Sequence, residues 1–147
     1  MTYLLDTNAC IALINGKPAP VRRRFEAAIA GGAAIATSSI VIYELWYGVA
    51  KSARGEANIE RLTAFLGGPI DLLDFTAEDA HEAGHVRAAL EAVGRPIGAY
   101  DLLIAGQARR CGARLVTANG AEFGRVANLE WEDWSNRRSD SDPVSRS

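Results

Sequence analysis

Three carboxylates in this chain stand in apolar company. Asp6 ends the run Tyr3-Leu4-Leu5, Glu44 lies inside Ile40-Val41-Ile42-Tyr43-Glu44-Leu45-Trp46-Tyr47, and Asp101 precedes Leu102-Leu103-Ile104-Ala105. Asn119 and Glu122 follow another apolar run, Leu115-Val116-Thr117. A buried, unpaired carboxylate is costly or stays protonated, so each of these needs a reason. Carboxylates brought together repel, and such a cluster is stable only when cations share it. Oxygen donors without histidine or cysteine select hard ions, Mg²⁺ or Mn²⁺. Those ions polarise phosphoryl oxygens and activate water, chemistry that suits phosphodiester hydrolysis. Each residue also has a plainer role open to it. Asp6-Thr7-Asn8 is ordinary helix-capping sequence. Glu44 could pair with an arginine or reach solvent. Asp101, in a first helical turn, complements the helix dipole.

Whether these groups meet depends on the elements that carry them. The apolar run before Asp6 reads as a short buried strand, followed by a helix over 8–15 that stops near Asn15-Gly16. A second helix fits 20–30, closed by Gly31-Gly32, and a second strand fits 33–37. Ser38 or Ser39 can cap a helix over 39–52. That helix is apolar almost all round, which predicts deep burial. A loop over 51–57, a helix over 57–66 and a strand over 70–74 come next. Thr76 opens a long helix to about 93, with Ala83, Val86, Leu90 and Val93 at helical spacing. Asp101 starts a helix running to Arg110, and 114–117 form a further strand. Asn119-Gly120 can mark a hairpin, but no alternating strand follows at once, so a helix cap at Asn119 fits better. Residues 129–131 read as an edge strand. Strands alternating with helices predict an α/β fold, a three-layer α/β/α sandwich on a mostly parallel sheet. Acids at its strand ends face the crevice where such sheets bind ligands.

The length of 147 residues suits one domain, taken as 1–134, with 135–147 a disordered tail rich in Ser, Arg and Asp. No apolar run approaches the roughly 20 residues a membrane helix needs, and no signal peptide is apparent. Cys10 and Cys111 lie far apart and form no CxxC motif, which predicts reduced thiols and a cytoplasmic setting. A net charge of −2 excludes a nucleic-acid binder that works by bulk positive charge. Local basic clusters at Arg22-Arg23-Arg24, at Lys51 with Arg54 and at Arg109-Arg110 could still border a site for a polyanion.

One motif argues for different chemistry. His81-Glu82-Ala83-Gly84-His85 is HExxH on an expected helix, the arrangement of a zinc metallopeptidase with Glu82 as base. A catalytic zinc wants three protein ligands, and the sequence offers no third. Two surface histidines are the simpler account.

The pieces Tyr3-Leu4-Leu5-Asp6-Thr7-Asn8, Ser39 through Glu44-Leu45-Trp46-Tyr47-Gly48, Ile97-Gly98 with Asp101-Leu102-Leu103-Ile104-Ala105, and Leu115-Val116-Thr117-Ala118-Asn119 with Glu122-Phe123 follow one another in this order. In that order and spacing the chain resembles the PIN-domain ribonucleases, and among them the VapC toxins of bacterial type II toxin–antitoxin systems. The resemblance covers about residues 2–134 and is similar to the subgroup that cleaves initiator tRNA in the anticodon loop. It implies a Mg²⁺- or Mn²⁺-dependent endoribonuclease with Asp6, Glu44 and Asp101 as metal ligands. Asn119 takes a fourth position that is commonly acidic or Asn, with Glu122 just beyond, and Thr7 and Thr117 support the ligands through their hydroxyls. It also implies an RNA substrate, a VapB-like antitoxin, homodimers and toxin–antitoxin hetero-oligomers. A non-catalytic RNA-binding or regulatory PIN domain is the alternative. Loss of the metal acids would mark it, and here the three main acids are present.

Overall fold

Thr2–Leu5 form β1, whose last two side chains, Leu4 and Leu5, are fully buried. In the computed structural model, which describes residues 1–136 and the pair 145–146, this strand is the middle of the sheet. β2 (Ala34–Ser38) pairs on one side of it and β4 (Arg114–Val116) on the other. β3 (Asp71–Leu73) extends the sheet beyond β2, and β5 (Glu130–Glu132) extends it beyond β4. All of these pairings are parallel. The strand order 3-2-1-4-5 follows from the chain building outward from β1 and then crossing back to its other side. Sheets of this kind bind ligands beyond the carboxyl ends of the strands where the order reverses. That point lies between β1 and β4, where Asp6 and Thr117 emerge.

Seven helices flank the sheet among the described residues, as the expected three-layer α/β/α sandwich requires: α1 (Thr7–Asn15), α2 (Ala19–Ala30), α3 (Ser39–Ala50), α4 (Gly55–Leu66), α5 (Ala77–Ala92), α6 (Ala99–Cys111) and α7 (Gly120–Phe123). Their ends carry local signals. Gly16 closes α1 at φ 72°, a conformation other residues resist. The Ser38 hydroxyl accepts from the Ile40 N–H at 3.0 Å and starts α3. Thr76 and Asp79 form a reciprocal capping box at the start of α5. Leu4, Leu5, Leu13, Leu62 and Leu115 are essentially inaccessible to solvent, and each such burial contributes roughly 1.5–3 kcal/mol.

α5 and α6 pack closely. A Cβ on Gly106 would lie 2.6 Å from the Ala83 Cα, so only glycine allows this crossing. Arg109 pairs with Glu82 and Arg110 with Asp79 across the same interface.

Three expectations need correction. α3 is not deeply buried: Val41 and Leu45 are, whereas Tyr43, Trp46 and Tyr47 remain exposed. An apolar sequence tells which faces tolerate burial, but only one face of α3 finds a partner within the chain. Members of two of the three basic clusters are engaged within the fold. Arg24 binds Glu132, Arg22 donates to the Leu13 carbonyl, and Arg109 and Arg110 are taken by the acids of α5. α4 starts at Gly55, two residues earlier than its composition implied. The expected disordered tail, 135–147, lies largely outside the described residues. Ser145–Arg146 add a short antiparallel strand, β6, to the edge of β5.

Candidate metal-dependent active site

Asp6 is placed by the strand and the helix on either side of it. Its N–H donates to the Val116 carbonyl at 3.1 Å, extending the β1–β4 pairing by one residue. Its side chain caps α1, accepting from the Ala9 N–H at 2.8 Å. The Thr117 hydroxyl, from the residue after β4, also binds it. The capping role open to this residue in the sequence is therefore present, and it does not take the side chain out of the group of acids described below. Burial pushes its carboxyl pKa up from 3.8 to about 6. The two hydrogen bonds oppose that rise, while Glu44 and Asp133 add to it.

Glu44 is half-buried on α3. Among the described residues it forms no ion pair with an arginine. The Thr7 hydroxyl, one residue past Asp6, donates to its Oε1 at 2.8 Å. Asp101 lies in the first turn of α6. Burial raises its pKa from 3.8 to about 7, helped by a hydrogen bond with Glu122 and by the charges of Glu122, Asp6 and Glu44. Dipole compensation does not describe this residue, because a helix N-terminus favours the charged form whereas its surroundings favour the protonated one.

Asn119 and Glu122 form the remaining corner. The Asn119 side-chain N–H₂ donates to Glu122 Oε2 at 2.8 Å, and its backbone N–H donates to the Thr117 hydroxyl at 2.9 Å. Asn119 takes the cap position of α7 but makes no side-chain capping bond. Its amide instead steadies Glu122 beside Asp101. Trp131 of β5 fixes this corner from below: a Cβ on Gly120 would fall 2.2 Å from its ring. The structure thus brings together Asp6, Glu44, Asp101 and Glu122, with Thr7, Thr117 and Asn119 bonded to them.

Asp133 was not anticipated. It follows β5 at the same edge of the sheet and adds to the negative potential at Asp6. It also shares a cleft with Asn8, Lys17 and Thr117. The signal was available, since an acid just past a parallel strand emerges at the carboxyl edge. Reading the last strand as 129–131 hid it.

These groups fit a hard cation. No arginine or lysine is among the leading influences on Asp6 or Asp101; the charged neighbours acting on them are other carboxylates. Among the described residues no three Asp, Glu, His or Cys side chains are close enough to enclose an ion by themselves. A closed zinc site is therefore absent among them. An open set of acids suits Mg²⁺, which keeps several waters and binds through one or two carboxylates together with substrate phosphate. The HExxH segment offers nothing comparable. His81 and His85 are exposed on α5, with the His85 Nδ1 on the His81 carbonyl at 3.0 Å, and Glu82 is held by Arg109.

Comparison with known proteins places the fold in a family. The PIN domain model matches residues 3–129. Over 135 residues the chain is 43% identical to the tRNA(fMet)-specific endonuclease VapC of Shigella flexneri, covering 92% of this chain and 99% of that one. A protein of the same name from Salmonella typhimurium is 37% identical over 134 residues, 91% of this chain and 98% of its own. Among solved structures, VapBC2 from Rickettsia felis bound to a DNA fragment from its promoter superposes with a TM-score of 0.83. That match is 42% identical and covers 90% of this chain and 98% of the other.

Proposed function

The chain belongs to the PIN-domain family, among its VapC ribonucleases, and from that premise we propose that it is the toxin of a VapBC pair and cleaves tRNA, the initiator tRNA first among candidates. The observation that carries the nuclease reading is the unneutralised group of acids at the β1–β4 switch point. Asp6 and Asp101 both have carboxyls raised by burial and by neighbouring carboxylates.

Asp6, Glu44 and Asp101 would hold Mg²⁺ or Mn²⁺, with Asn119 through its carbonyl and Glu122 at the margin. Bound there, the ion supplies Lewis acidity toward a phosphoryl oxygen and makes water a better nucleophile. The chain's own residues set the geometry. The Ala9 N–H and the Thr117 hydroxyl orient Asp6. Thr7 pins Glu44 and Asn119 pins Glu122. Asp101, with its carboxyl raised to about 7, is partly protonated near neutrality, and a cation binding there would compete with that proton.

The antitoxin has a natural seat. An apolar cleft between α1, α3 and α4 opens beside Glu44, lined by Ile11, Ile14, Leu45, Val49, Leu62 and the guanidinium-bearing Arg61. A VapB-like segment lying there reaches the acids. No described helix is long and apolar enough to cross a membrane. Cys10 and Cys111 are free thiols, and we place the protein in the cytoplasm with its RNA. Sequencing RNA 5′ ends after induced expression, wild type against Asp6→Asn, tests the whole assignment. A single cluster of new ends in initiator tRNA, present only in the wild type, is the expected result. Identical end profiles for the two proteins would remove the assignment.

A further inference from the structure

Tyr43 and Tyr100 each stand one residue from a site acid, Glu44 and Asp101. They come from α3 and α6 and meet edge to face, with ring centroids 5.6 Å apart and planes at 61°. Their hydroxyls are 3.1 Å apart. Tyr100 also lies within the field of Glu44. Both rings nevertheless stay open to solvent, Tyr43 at 53% and Tyr100 at 44%. Fixing two exposed aromatic side chains costs rotamer freedom and buries little apolar surface in return. What it does provide is a preorganised pair of aromatic rings, each buttressed by the edge or face of the other, beside the acidic site.

Charge argues for the same use. The chain is net negative and the site is acidic. Arg24, Arg109 and Arg110 are occupied by Glu132, Glu82 and Asp79. Those three guanidinium groups are therefore not free to hold a phosphate, and contacts to bases give a substrate a second means of registration. Unpaired RNA bases supply it, since they stack on aromatic side chains without regard to charge.

We propose that the Tyr43–Tyr100 pair is a stacking subsite for one unpaired nucleobase flanking the phosphodiester held at the acids. It rests on the nuclease reading above and deepens it: the substrate class becomes a single-stranded or looped RNA with a splayed base beside the cut. The two tyrosines are positioning residues, and no bond is made or broken on them. The competing occupant is a second copy of this chain, because Trp46 and Tyr47 are exposed on the same helix.

A short single-stranded RNA with 2-aminopurine beside the cleaved bond reports cleavage and stacking together. Tyr43→Ala and Tyr100→Ala should each raise KM about ten-fold, the scale of one lost base stack, with kcat little changed. Tyr43→Phe and Tyr100→Phe should keep the wild-type KM, because they retain the ring and lose only the hydroxyl contact. Quenching of 2-aminopurine should weaken in the alanine variants alone. An abasic nucleotide at the flanking position should erase the difference between wild type and alanine variants. Wild-type KM in both alanine variants, or a fall in kcat at constant KM, overturns the subsite. So does sedimentation showing that the alanine substitutions turn a wild-type dimer into monomers. If the wild type cuts no RNA, the nuclease reading fails on its own. Tyrosine-dependent quenching of the bound oligonucleotide then still upholds the subsite, and its absence overturns both.

Discussion

Two groups of acids sit at opposite ends of the same logic. Along the α5–α6 interface, Asp79 is fully buried yet caps a helix and binds Arg110, and Glu82 binds Arg109. Glu132, at the end of β5, is shared by Arg24, Arg114 and the Trp134 indole N–H. At the β1–β4 switch point, Asp6, Glu44, Asp101 and Glu122 have hydroxyls, amides and one another, but no guanidinium among the described residues. The first set is neutralised by the fold. The second leaves its charge for something that is not part of the chain. HExxH, the one motif for zinc chemistry, lies in the neutralised region. Pairing with arginine, which the sequence does not display, separates the two groups of carboxylates.

The contrast can be broken most decisively at its acidic end. Asp6→Asn and Asp101→Asn should each lower RNA cleavage by more than roughly 100-fold, beyond what loss of an outer partner of a ligand costs. The same substitutions relieve repulsion and should leave the melting temperature of the metal-free protein unchanged or higher. Wild-type cleavage rates in either variant would contradict the site. Thr117→Ala and Thr7→Ala remove only the hydroxyls that hold Asp6 and Glu44, and should cost about 10–100-fold in activity or in metal affinity measured by calorimetry.

The neutralised acids should behave oppositely. Asp79→Ala should cost about 1–2 kcal/mol of stability from the lost capping box, read from denaturant melts, with cleavage retained per folded molecule. An inactive but fully stable Asp79→Ala protein would erase the distinction between the regions.

Acidity sharpens the comparison further. Asp6 and Asp101, at about 6 and about 7, bind protons more readily in the folded than in the unfolded chain. Their contribution to stability is therefore fully present below the ordinary carboxyl value near 3.8 and is lost as pH rises through 6 to 7. The metal-free protein should lose stability over that window. Mg²⁺ or Mn²⁺ should raise its melting temperature more at pH 8 than at pH 5, since the ion binds the deprotonated acids. Equal shifts at the two pH values would argue against a carboxylate site. The smallest effect belongs to His85→Ala, for which neither cleavage nor melting should change measurably.

Much of the fold was legible locally. Gly16, Gly31-Gly32, Ser38 and Thr76 mark helix ends by chemistry that acts within a few residues, and the structure puts boundaries there. The apolar runs before Asp6 and Ala118 became β1 and β4 because short apolar stretches of this kind are buried on both faces in parallel sheets. The acids Asp6, Glu44 and Asp101 could be picked out because each interrupts such a stretch. Asp133 escapes that test because a last strand read as 129–131 ends two residues short of it, whereas β5 ends at Glu132. Helix α3 shows another limit. Its composition shows that it is apolar, but not that Tyr43, Trp46 and Tyr47 stay exposed.

By itself, then, the sequence determined element types, the order of strands and helices, and the small set of acids worth explaining, since all of these depend on local propensity and hydrophobic pattern. Only the tertiary structure decided which acids meet. It carried Glu44 across 37 residues to Thr7, Glu122 to Asp101, and the arginines of α6 to Asp79 and Glu82 instead of to the site. Electrostatic partnership falls off within a few ångströms, whereas the chain sets only how far apart its residues lie in sequence.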